Sequence, residues 1–144
     1  MKVLVVDGQG GRLGKLLVEG IRQAGLPCEI IAVGTNSIAT SAMVKAGADA
    51  GATGENSVVV CARGADFILG PIGILAADSL LGEVTPAMAV AIGQSPAQKI
   101  LVPINRCNHT VVGLKELTMS ELVREAVALL TGSTSCQQKD SVVS

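Results

Sequence analysis

An apolar run, Val3-Leu4-Val5-Val6, leads directly into Asp7-Gly8-Gln9-Gly10-Gly11-Arg12-Leu13-Gly14, where an amphipathic pattern begins. A strand, a glycine-rich turn and a helix in that order aim backbone N–H groups, and the positive end of the helix dipole, at a place where a phosphate can be held. The same order restricts the fold. A strand that is apolar on both faces belongs in a sheet covered on both sides, and parallel neighbours must be reached by crossovers. The chain should therefore continue as alternating strands and helices.

It does so along most of its length. Residues 2–7 read as the first strand, and Leu13, Leu16, Leu17, Gly20, Ile21 and Ala24 form a helical face closed by Gly25 and Pro27. Glu29 to Val33 is a second buried strand, followed by a helix carrying Ile38, Ala42, Met43 and Ala46. Residues 48–56 read as a loop or short edge element. A helix is expected over 57–64, because a strand at Asp66 to Leu69 follows at once and needs a crossover before it. Further helices are expected over 74–81 and, with Thr85 as N-cap and Pro86 in the first turn, to about Ile92. Lys99 to Ile104 reads as a strand and His109 to Val112 as another, short one. Thr118-Met119-Ser120-Glu121 is a capping box for a last helix with core face Leu122, Val123, Ala126, Leu129 and Leu130, stopping at Gly132. The expectation is one α/β domain over 1–132, a three-layer sandwich with a mostly parallel sheet of about five strands, and a disordered tail over 133–144.

Composition narrows the function. The net charge is −1 with no basic run, and Phe67 is the one aromatic residue, so neither the electrostatic footprint nor the stacking platform of a nucleic-acid binder is present. The longest apolar stretch, Phe67 to Leu81, is broken by glycines, a proline and Asp78, which argues against a membrane span. Cys28, Cys61, Cys107 and Cys136 form no CxxC pair, and no His stands at ligand spacing. That pattern fits reduced thiols of a cytoplasmic protein, with no metal site. A strand beginning at residue 2 leaves no signal peptide.

In an open parallel sheet, ligands sit beyond the carboxyl ends of the strands at the point where strand order reverses. That rule gathers the loops at 8–14, 34–37, 70–73 and 104–109. Gly8, Gln9, Gly10, Gly11, Arg12 and Leu13 are the candidate phosphate contacts, with Thr35, Asn36 and Ser37 at the adenosine end and Gly70, Pro71 and Ile72 as a wall. The glycines satisfy GxxGxxG at 8, 11 and 14. The end of the second strand offers Val33-Gly34-Thr35-Asn36 and no acid, so a 2′-phosphate suits it better than a free ribose diol, and NADP(H) is the leading expected ligand. Asp7, beside the expected phosphate, reads as a loop brace. Asn105 and Cys107 are weak catalytic candidates: a thiol beside Arg106 and His109 can have a lowered pKa, but nothing in the sequence supplies an oxyanion arrangement.

The run GQGGRLGK resembles the phosphate loop of dihydrodipicolinate reductases and of extended short-chain dehydrogenases, which bind nicotinamide dinucleotides through GxxGxxG. The chain has no Tyr for the dehydrogenases' Tyr-x-x-x-Lys pair. From DGQGG through GTNSIATSAM, AGADAGATGEN, GPIGI, GEVTP and KILVPINRCN, it resembles a bacterial domain-of-unknown-function family (domain of unknown function 3842) of small Rossmann-like proteins. That resemblance implies the fold and leaves the activity open. The expected function is binding of a small phosphate-bearing, nucleotide-type ligand. The alternatives are a small oxidoreductase whose site is completed at a homodimer interface, and a regulatory or structural subunit that binds no ligand.

Overall fold

A computed structural model describes residues 1–104 and 108–143, with 133–143 as backbone only. Five strands, β1 (Lys2–Asp7), β2 (Glu29–Gly34), β3 (Ala50–Thr53), β4 (Phe67–Pro71) and β5 (Gln98–Val102), form one all-parallel sheet in the order β3-β2-β1-β4-β5. The helices are α1 (Arg12–Gln23), α2 (Ser37–Lys45), α3 (Glu55–Gly64), α4 (Pro86–Gln94) and α5 (Met119–Val143).

Alternation along the strands sorts the core into two layers. Val3 and Val5 of β1, with Phe67 and Leu69 of β4, pack against Leu17, Ile21, Met43 and Val123 of α1, α2 and α5. Leu4, Val6 and Ile68 point the other way, onto Val58, Met88 and Ile92 of α3 and α4. Both faces are covered, so the central strands read as continuous apolar runs. The Rossmann-like α/β expectation holds.

Several elements differ from the sequence reading. The edge strand is β3 at Ala50–Thr53, whereas residues 109–112 form no strand. A parallel strand there would need a crossover of about a dozen residues, and only residues 103–108 separate it from β5. In place of a helix over 74–81, a 3-10 turn spans Ile72–Leu75, and Asp78, Leu80 and Leu81 then adopt positive φ. Buried Ser79 donates its hydroxyl to the Gly73 carbonyl, giving the backbone an alternative to helix. The last helix begins as expected, with Glu121 N–H donating to Thr118 Oγ1 at 3.2 Å, but it runs on through Gly132 to Val143. One glycine in a helix costs only about 1 kcal/mol. Leu129, expected in its core face, is 61% exposed, and Val127 is buried instead.

Candidate functional site

β1 and β4 pair from Val3–Phe67 to Val5–Leu69, after which β4 continues only with β5. The strand order reverses there, between β1 and β4, which is where ligands sit in open parallel sheets. Gly70 keeps the two backbones close at this edge: a Cβ there would collide with the Val6 carbonyl oxygen. Pro71 completes β4 and Ile72 begins the 3-10 turn.

The four loop glycines do different work. A Cβ on Gly14 would press on Met43 and lie 2.9 Å from Asp7 Cβ, so this glycine sets the closeness of α1 to β1. Gly11 has φ +72°, and a Cβ would stand 2.7 Å from Ala39 Cα, so it lets α1 approach α2. A Cβ on Gly8 would stand 2.6 Å from Thr35 Oγ1 and 2.8 Å from Leu80 Cδ1. Only Gly10 faces open space.

Two carboxylates hold this loop. Asp7, 4% exposed, accepts the Gly8 N–H at 2.8 Å through Oδ1 and the Gly14 N–H at 2.7 Å through Oδ2. It braces the turn, and burial still raises its pKa, against the lowering pull of those N–H groups. Glu83, far away in sequence, reaches in from the segment before α4. Its Oε1 accepts from Gln9 N–H at 3.1 Å, Thr35 Oγ1 at 2.9 Å and Asn36 Nδ2 at 2.5 Å. Burial pushes the Glu83 pKa up, but hydrogen bonds from Asn36, Thr35 and Gln9 outweigh it and hold the group below the ordinary value.

Asn36 is shared between two tasks. Its Oδ1 caps α2 by accepting the Ala39 N–H at 2.9 Å, while its Nδ2 also reaches the Gln9 carbonyl at 2.9 Å. Thr35 N–H donates to the Asp7 carbonyl at 3.0 Å. Gln9, Thr35 and Asn36 are thus brought together as expected, around a residue the sequence reading passed over. Ser37 lies apart from them: it is exposed and lines the groove between α1 and α2 with Lys15, Ile38 and Lys45. Leu13 is 3% exposed, its side chain in the core, so only its backbone belongs to the loop. The Arg12 side chain is exposed at the start of α1. Asn105 and Cys107 lie outside the described residues. His109 is exposed. Among the described residues no group of His, Cys, Asp or Glu is placed to hold a metal, and no helix is long and apolar enough to cross a membrane.

Glu83 also changes the ligand argument. The case for NADP(H) rested on the absence of an acid at the end of β2, and the fold brings a carboxylate onto Thr35 and Asn36, the residues at that end. No signal in the sequence marks it, since its partners are more than forty residues away.

The model of the family described as "Domain of unknown function (DUF3842)" matches residues 2–135. The chain belongs to the DUF3842 family. No curated protein matches it. Among solved structures, the DUF3842 chain is similar to a dodecameric FMN-dependent UbiX-like decarboxylase from Escherichia coli O157:H7. The two are 15% identical with a TM-score of 0.47, and the match covers 94% of each chain.

Proposed function

We propose that this DUF3842 protein binds a small nucleotide-type ligand bearing a phosphate, at the carboxyl edge of the sheet between β1 and β4. The observation that carries the reading is the openness of Gly10. Gly8, Gly11 and Gly14 are each closed by a neighbour, whereas Gly10 faces open space, with exposed Arg12 two residues on. A phosphate would meet the positive end of α1 and the Arg12 guanidinium there, since the N–H groups of Gly8, Gln9, Gly11 and Gly14 are donated within the protein. Thr35, Asn36 and Glu83 would serve the sugar, and Gly70, Pro71 and Ile72 the wall. The sequence-based choice of NADP(H) remains a candidate within this class, alongside NAD(H) and FMN.

The test is thermal unfolding with NADH, NADPH, FMN, ATP and inorganic phosphate, in the natural protein and in Gly10→Glu. The open space around Gly10 accepts a side chain, so the variant should fold. A ligand at a hundred times its Kd adds about 2.7 kcal/mol, or roughly 5–10 °C for a domain of this size. The shift should appear with at least one nucleotide and vanish in the variant.

A second reading has its own support. Asp7 and Glu83 take the N–H groups of Gly8, Gly14 and Gln9, so the turn is braced without any ligand. On that reading the protein is a structural or regulatory subunit. No shift with any of the five compounds would favour it.

A further inference from the structure

We propose that Glu83 sets the ligand's sugar chemistry: it accepts the hydroxyls of an unphosphorylated ribose and excludes a ribose carrying a 2′-phosphate. The inference rests on the nucleotide-binding reading above and gives it a narrower substrate class.

Position comes first. β2 ends at Gly34, and the next two side chains, Thr35 and Asn36, both donate to Glu83 Oε1. The carboxylate therefore stands at the strand end where a dinucleotide site places its ribose acceptor, although it arrives from a segment remote in sequence. Its orientation is fixed. Oε1 receives three donors, and each donor is itself held: Thr35 by the Asp7 carbonyl, Asn36 by capping α2, and Gln9 by the Asn36 amide on its carbonyl. Leu80, 2% exposed, anchors the segment against Gly8, where a Cβ would come within 2.8 Å of Leu80 Cδ1. A glycine at position 8 is what lets the segment, and Glu83 with it, settle on the loop.

Acceptor capacity comes next. A carboxylate offers about four lone-pair sites. Among the described residues Oε2 receives only a share of the Gln9 N–H, at 3.2 Å, and so keeps room for a ligand hydroxyl. Charge supplies the exclusion. Asp7 lies close enough for Glu83 to raise its pKa by like-charge repulsion, and among the described residues neither acid forms an ion pair. A 2′-phosphate adds between one and two further negative charges beside Glu83, which forms no ion pair among the described residues. A diol adds none and brings donors.

Paired probes isolate the effect: NADH against NADPH, and adenosine 5′-monophosphate against adenosine 2′,5′-bisphosphate, titrated into the natural protein, Glu83→Gln and Glu83→Ala. The natural protein should prefer the unphosphorylated member of each pair by at least about tenfold, as expected for one close like-charge contact. Both variants should bring the ratio close to one, chiefly by tightening the phosphorylated member. Equal binding of both members by the natural protein overturns the inference. So does a ratio unchanged in the variants, even where their melting temperatures fall, because Glu83 is then only a brace. If neither member of either pair binds the natural protein, the nucleotide-binding reading fails, and this inference fails with it.

Discussion

The two ends of the sheet manage charge in opposite ways. At the amino end, Arg22 at the close of α1 donates Nε to the Gly47 carbonyl at 2.9 Å and Nη2 to Asp49 Oδ2 at 2.8 Å. Asp49 in turn accepts the Ile30 N–H at 2.8 Å. Cation and anion meet, and together they tie α1, β2 and the turn after α2. At the carboxyl end Asp7 and Glu83 are two acids, both held by uncharged donors. The first arrangement cancels its own field and serves only to join segments. The second places two acids together with no ion pair to either among the described residues.

Substitutions at the two ends separate these roles. The largest effect is expected from Gly11→Ala, which adds a Cβ against the Ala39 backbone at a positive φ. The loss should be about 3 kcal/mol in urea unfolding, combining left-handed strain with overpacking. A loss below about 1 kcal/mol would mean that α1 and α2 can separate and the loop is not rigid.

Asp7→Ala should cost about 2 kcal/mol, because it leaves the N–H groups of Gly8 and Gly14 without their acceptor. The pH dependence separates the two acids. The folded-state pKa of Asp7 is raised above 3.8, so the folded protein binds that proton more tightly. Its contribution is favourable at low pH and is lost as pH rises through the raised value. Glu83 is depressed below 4.5, so its contribution is present above 4.5 and is lost as pH falls through the lower value. Asp7→Asn should flatten the first slope and Glu83→Gln the second. If Glu83→Gln leaves the acid limb unchanged, its hydrogen bonds do not persist in solution.

At the amino end, Arg22→Ala should cost roughly half as much as Asp7→Ala. The difference between Arg22→Ala and the natural protein should shrink in 1 M salt, where the Debye length falls to about 3 Å. The cost of Asp7→Ala should not, since its partners carry no charge. Equal salt sensitivity would erase the contrast between the ends.

The smallest change runs the other way. Leu81 is 99% exposed with φ +56°, a conformation that asparagine tolerates better than leucine. Leu81→Asn should gain about 0.5–1 kcal/mol. A loss instead would show that Leu81 is covered in solution.

Elements with strong periodicity were legible in the sequence. Val3 to Val6 and Phe67 to Leu69 declared buried strands, and Thr85-Pro86 and Thr118 marked helix starts that the hydrogen bonds bear out. β3 was obscure for a steric reason. Its sequence, Ala-Gly-Ala-Thr, carries little strand signal, because a Cβ on Gly51 would run into Val44 and Thr40 of α2. Closeness of the helix leaves no room at position 51 for a β-branched residue that would advertise a strand. The candidate site was legible as far as it is local. The glycine turn, Thr35, Asn36 and the bracing role of Asp7 follow from neighbours within a few residues. Glu83 arrives through tertiary structure alone, over a segment whose helical composition was overridden at Asp78, Leu80 and Leu81 by left-handed backbone.

The strand order has a consequence for how the chain is made. β1 lies at the centre of the sheet and is synthesised first, yet its two neighbours arrive at different times. β2 follows within about 30 residues, close enough to pair early. β4 is complete only at Pro71, so until then one side of β1 is an apolar edge with open N–H and C=O groups. With elongation at about 5–20 residues per second, that edge stays exposed for seconds on each nascent chain. The pair that spans the reversal of strand order, β1 with β4, is the pairing that the growing chain must wait longest to begin.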